Sequence, residues 1–212
     1  VKFILGIISV AGTAAYGTAL WHLWNPNLLN LPQFRAAAIG FLTGAAVWAL
    51  FGRRLGFFGT FEHEFTHLVF GLLMFQRPKS FYASTYRGHV TSEGSNFIDT
   101  LAPYYFPTFS YILLAVFPLL RSSAHIYFYP ILGLVTGYHL VSNVAEFGFR
   151  QPDIRRSGAA FSLVFCTFAA VLAFGFLAGF VIGGFRGGLD FIALGWKTGR
   201  DLIASIIQAV RL

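Results

Sequence analysis

The stretch Phe61–Leu73, FEHEFTHLVFGLL, sets two histidines and two glutamates inside a run that is otherwise soluble in hydrocarbon. An ionisable group near mid-membrane costs at least ~2.5 kcal/mol on insertion scales, so Glu62, His63, Glu64 and His67 together call for a use beyond helix packing. His63 and His67 are four residues apart. On a helix that spacing leaves them about 40° apart and one turn displaced, so both imidazoles can reach one tetrahedral zinc ion. Glu64 fills the second position of His-Glu-x-x-His, where a carboxylate takes the proton from the attacking water and later hands it to the leaving amine. Glu62 points away from that face and is read as a carboxylate satisfied by its neighbours or by water.

The surrounding chain has 212 residues, of which 11% are charged, and a mean hydropathy of +0.66. An ordinary soluble surface cannot be built from that composition. Six apolar runs are read as spans: Phe3–Leu23, Ala36–Gly52, Phe57–Phe75, Leu101–Leu120, His125–Phe149 and Gly158–Gly184. Each is long enough for a ~30 Å hydrocarbon core, the second only just. The first lacks a small-residue cleavage pattern before Asn25 and is read as retained, and further residues can precede Val1. The expected fold is therefore an all-α integral membrane protein of about six transmembrane helices, one domain over residues 1–212 with a core at about 57–184.

Two segments depart from the spanning pattern. Between Gln76 and Thr100, SFYASTYRGHVTSEGS mixes β-favouring residues with Gly88 and Gly94 as turn candidates, and predicts a short β-hairpin or edge strand after the third span. From about 188 to 212, Ile203, Ile206, Ile207 and Val210 share one helical face, which predicts a C-terminal amphipathic helix at the interface, anchored to lipid or to another subunit.

The formal charge of +7 comes from Lys and Arg that flank the spans and form no basic block. This favours anionic lipid headgroups as partners and excludes nucleic acid. Arginine and lysine divide almost evenly between the two sides, so charge bias sets no orientation. Cys166 is the only cysteine and reads as a small buried side chain.

Two histidines and a water leave one protein ligand to find. Asp153 in RQPDIRRSG is one candidate; the face of His139, Asn143 and Glu146 on the fifth span is another, with Glu146 the alternative third ligand. Asp99 in NFIDT suits a helix cap better than a metal. His22, His89 and His125 are read as interfacial or loop residues. A haem held by His67 and His139 is a rival class, which leaves Glu64 without a role.

HEFTH within a span, GHVTSEGSNF leading into LAPYYFPTFSYILL, and GYHLVSNVAEFGFRQPDIRRSGAAFSLVF together resemble the intramembrane zinc metalloproteases of the site-2 protease type, peptidase family M50. The resemblance covers roughly Phe61–Phe165. Pro152-Asp153 is followed by Ile154 and not by glycine, which places the likeness nearest the shorter bacterial branch. It implies that His63, His67 and Asp153 hold Zn2+, that Glu64 is the catalytic base, and that the substrate is a peptide bond of another membrane protein. It also implies a bacterial inner membrane and a site open to the cytoplasmic side. His139 or Asn143 would then be available to the oxyanion or to the ligands' supporting shell. The alternative is a non-catalytic subunit of the same fold within a larger membrane complex.

Overall fold

The computed structural model of the chain describes residues 1–85 and 87–210. Tyr86 in the expected hairpin, Arg211 among the flanking cations, Leu212, and the side chain of Val210 that closes the isoleucine stripe lie outside the described residues. About 80% of the chain is helical, and the chain divides into two compact units, Val1–Phe34 with Ala160–Leu212, and Arg35–Ala159.

In the first unit, α1 (Lys2–Leu23) leads to a short 3-10 turn, Pro26–Asn30, whose start is capped by Asn25 Oδ1 accepting from the Asn27 N–H at 2.9 Å. The last helix, α8 (Ala159–Val210), is broken at Gly183–Gly184, where Gly184 takes φ 64. A side chain there would be strained, which is why the chain reverses at a glycine pair. Beyond the break the second arm returns along the first. A Cβ at Gly179 would stand 2.5 Å from the Gly187 carbonyl oxygen, and one at Gly175 would overlap the Phe191 ring. Small residues thus let the two arms approach backbone to backbone. Tyr16 of α1 meets Phe168 and Phe191 edge-on, and Phe180 and Phe191 are fully buried. The C-terminal segment is helical as expected, but its first half packs as the return arm of a hairpin and not as a separate surface helix. Its exposed apolar face runs from Leu189 through Trp196 to Ile203, Ile206 and Ile207.

The second unit carries the polar groups. Its first pair is α2 (Pro32–Phe51) and α6 (His125–Glu146). Cβ atoms at Gly40 and Gly44 would overlap the carbonyls of Pro130 and Leu134, and at Gly133 and Gly137 those of Ala37 and Phe41. Two Gly-x-x-x-Gly faces therefore interlock, at the backbone separation where Cα–H groups meet carbonyls across the pair.

Next comes α3 (Gly56–Leu73), closed by a left-handed residue at Phe75 (φ 58) with the Gln76 N–H returning to the Gly71 carbonyl at 2.9 Å. The antiparallel strands β1 (Pro78–Ala83) and β2 (Gly88–Ser92) follow, with Phe81 opposite Val90 and Tyr82 opposite His89. The hairpin is where the sequence places it, and beyond β1 the Ser84 N–H donates to the Arg87 carbonyl at 2.8 Å. Gly88 opens β2 and does not make the turn. The sheet lies along α3, with Phe81 edge-on to Phe61 and the Thr85 carbonyl against Gly56.

The expected fourth span is not one helix. α4 (Phe97–Leu101) with its 3-10 extension to Tyr104 meets the segment headed by α5 (Thr108–Val116) at an angle of 88°. Pro103 and Pro107 remove donors and restrict the residues before them, which breaks the helix there. The short α7 (Pro152–Ser157) completes the unit, anchored by the fully buried Ile154.

Among the described residues three helices, Lys2–Leu23, Pro32–Phe51 and Ala159–Ala209, are long and apolar enough to cross a membrane, or up to four spans if the bent pair counts as one. Their exposed Phe3, Leu42 and Leu50 suit contact with lipid. The polar quartet of α3 lowers its hydropathy below that of these three.

Candidate metal centre

Three elements deliver one side chain set. α3 presents His63 and His67 on adjacent turns, their ring centroids 5.0 Å apart. α7 presents Asp153, whose Oδ2 lies 3.7 Å from His63 Nε2 and 3.5 Å from His67 Nε2. These three residues form a group able to hold a metal ion, with ligand atoms all within 4.8 Å of one another. Asp153 sits in the first turn of α7, after Pro152, while Gln151 occupies the cap position. Its carboxylate is directed at the histidines, and no described ion pair joins it to Arg155 or Arg156.

The outer nitrogens of the two imidazoles are held separately. His67 Nδ1 lies 2.9 Å from the Asp99 backbone carbonyl, so it carries the proton and leaves Nε2 free to bind. His63 Nδ1 faces Glu146 Oε2 at 3.6 Å. Glu146, the alternative third ligand, is therefore on the far side of His63 from Asp153 and takes no part in the three-residue group. Tyr104, which the sequence reading passed over, donates its hydroxyl to Asp153 Oδ2 at 3.3 Å and sets its ring edge-on to His63. Burial alone would raise the Asp153 carboxyl, but with no metal bound the hydrogen bonds and charge of protonated His63 and His67 outweigh it and hold the group well below the usual carboxylate range.

Glu64 is nearly buried and lines the same cavity of about 350 Å³ as His63, His67 and Asp153. Gly88, His89, Val90 and Ser92 of β2 form another wall. His89, which the sequence places in the hairpin as an interfacial or loop residue, lines the cavity from β2, with its ring against Tyr82. Asp99 serves in a capping box with Asn96, accepting the Asn96 N–H at 2.8 Å, so its side chain is a helix cap as its sequence context suggested.

His139 and Asn143 stand behind His63, beside a small pocket that His63 and Glu146 also line. His139 Nδ1 is 3.1 Å from Glu62 Oε1, both residues being 3% and 2% exposed. Asn143 donates to the Pro103 carbonyl at 3.1 Å and has its amide nitrogen 3.4 Å from His139 Nε2. Neither residue lines the Glu64 cavity. The two ring nitrogens of His139 meet Glu62 and Asn143, where a haem pair with His67 would need one of them for iron. Glu62 is neighbour-satisfied, as read, and its neighbour is His139. The sequence marks this pair only as two ionisable residues within apolar runs.

No protein-family model, curated protein or solved structure matches this chain.

Proposed function

We propose that this chain is a zinc-dependent intramembrane endopeptidase of the site-2 protease type. The observation that carries the reading is the placement of Glu64 in one cavity with the His63, His67 and Asp153 group. Two imidazoles and one carboxylate are a catalytic zinc set that leaves a coordination position open. Tetrahedral geometry with bonds of about 2.0–2.2 Å puts ligand atoms about 3.3–3.6 Å apart. The contacts of 3.5 and 3.7 Å to Asp153 Oδ2 are close to that spacing.

Bound zinc supplies Lewis-acid polarisation of the scissile carbonyl. Everything else falls to the chain. Glu64 receives the proton of the attacking water and delivers it to the leaving amine. Glu146 and the Asp99 carbonyl keep both imidazoles oriented with Nε2 inward, and Tyr104 steadies Asp153. β2, paired with β1 on one edge, offers its other edge along the cavity to an extended substrate segment through main-chain hydrogen bonds. A membrane substrate must unwind before its carbonyl is reachable, and a strand edge stabilises that state.

In this reading α3 and α6 also cross the bilayer, their polar groups shielded inside the second unit, and with α1, α2, the bent pair and the first arm of α8 the spans number six. The site opens to the cytoplasmic side of a bacterial inner membrane. A second reading, a non-catalytic subunit of a larger complex, draws on the exposed stripe of Ile203, Ile206 and Ile207. Glu64→Gln separates the two: it should keep stoichiometric zinc and lose hydrolysis of a reconstituted membrane substrate, while His63→Ala loses both. Unchanged cleavage by Glu64→Gln would defeat the peptidase reading.

A further inference from the structure

The cavity beside the metal group is polar in a chain that is mostly apolar. Val90 and Pro152 bring the apolar side chains of its wall, and residues such as Ser92 and Gln151 bring neutral hydrogen-bonding groups. Arg156 is the one arginine or lysine in that wall among the described residues. It is exposed, and no described ion pair engages it. Such a lining suits a hydrophilic segment, and a guanidinium with its donors unspent is built for a carboxylate.

Distance to the reacting group is short. Asp153 and Arg156 are three residues apart on α7, which places their Cβ atoms about 5–6 Å apart on neighbouring turns. An extended chain advances about 3.3–3.6 Å per residue, so a carboxylate about two residues from the reacting carbonyl is within reach of an arginine side chain that lines the same cavity. Glu64 and Asp153 would repel a second carboxylate in this cavity; Asp153 is matched by its two histidines, and Arg156 supplies the remaining attraction.

We propose that Arg156 forms a carboxylate subsite, so that the segment accepted is extended, hydrophilic and acidic within two residues of the scissile bond. The proposal rests on the peptidase reading for its meaning, but not for its test. Binding is measured first, on the full-length zinc-loaded Glu64→Gln protein in detergent, with C-terminally amidated peptides that differ only by Glu, Gln or Lys at one position. The Glu peptide should bind about tenfold more tightly than the Gln peptide. Arg156→Ala should erase that preference, and Arg156→Glu should transfer it to the Lys peptide, at unchanged zinc content. Tight binding of a Gln peptide only when its C-terminus is free would assign the subsite to a terminal carboxylate and overturn the internal-acid form of the proposal. Equal binding of Glu and Gln peptides, no binding of either, or a preference that survives Arg156→Ala would overturn it entirely. The same peptides are then offered to the Glu64 protein: selectivity in binding without cleavage defeats the peptidase reading and leaves the subsite standing.

Discussion

Gly88 of β2 lies directly against the Glu64 carboxylate: a Cβ built on Gly88 would stand 2.6 Å from Glu64 Oε1 and 2.8 Å from its Cδ. The strand and the proposed base therefore share a space that only a glycine leaves open. Gly88→Ala should push the carboxylate out of position without touching a ligand. Turnover should fall by up to about 100-fold, the effect of roughly 1 Å of misplacement, while bound zinc stays stoichiometric. Turnover equal to the parent's would show that Glu64 moves aside at no cost and that the close approach has no catalytic meaning.

Asp153 and Glu146 approach His63 from opposite nitrogens, at 3.7 Å and 3.6 Å. Asp153→Ala removes one member of the three-residue group and should strip most of the zinc from the purified protein. Glu146→Gln removes only a partner of His63 Nδ1, and should weaken zinc by about 10–100-fold in affinity while leaving the site fillable at saturating metal. Elemental analysis at limiting and saturating zinc reads both effects. A variant pair with these outcomes exchanged would make Glu146 the ligand and Asp153 the support.

How much of this was written in the sequence differs from element to element. The spacing of His63, Glu64 and His67 set the site because a helix converts four residues into one turn without help from the rest of the fold. Asp153 was only one of several candidates, since its position depends on α7 being anchored through Ile154 against other elements. The hairpin was legible from β-favouring composition, yet Gly88 was misread as a turn residue because its reason for being glycine is Glu64, 24 positions earlier in the chain. Two Gly-x-x-x-Gly faces, at Gly40 and Gly44 and at Gly133 and Gly137, stood in plain view and went unread. The break at Pro107 was also readable from proline chemistry, but an apolar run from Leu101 to Leu120 hid it. Tyr104 could not be found at all without the structure: nothing local marks a tyrosine that donates to an aspartate 49 residues away.

Those glycine faces make their own prediction. Gly40→Leu and Gly137→Leu would each drive a side chain into a carbonyl of the facing helix. Overpacking of this kind costs roughly 1–3 kcal/mol or more, and here the neighbour is backbone, which cannot rotate away. Both variants should lower the unfolding temperature in detergent, whereas Gly17→Leu, with open space at its Cβ, should not. Equal losses at Gly17 and Gly40 would point to helix propensity and not to the α2–α6 contact.

The role given to β2 is tested at Val90, which faces Phe81 across the pair and lines the cavity. Proline there removes one backbone donor and restricts the strand. Val90→Pro should slow cleavage of an extended substrate while zinc content stays unchanged. Cleavage at the parent rate would make the hairpin a cover for the site and not a holder of substrate.

The buried pair of Glu62 and His139 carries the last prediction. The two side chains meet at 3.1 Å, and the Phe109 N–H is 3.4 Å from the same glutamate oxygen. That places one carboxylate between α6 and the start of α5, one residue before a proposed zinc ligand. Removing one member of a buried pair leaves the other without compensation, at a cost of about 3–5 kcal/mol. Glu62→Ala should therefore lower the unfolding temperature sharply, and because His63 is its neighbour in the chain, bound zinc should fall with it. Glu62→Gln keeps an amide oxygen to accept from the His139 ring and from the Phe109 N–H, and should cost far less. The double variant Glu62→Ala with His139→Ala should be more stable than the sum of the two single losses predicts, since neither orphan remains. If Glu62→Ala and Glu62→Gln unfold at the same temperature, the pair is not what ties α3 to α6, and the network of Thr66 with Thr108 and Ser110 with Thr136 must hold the helices in its place.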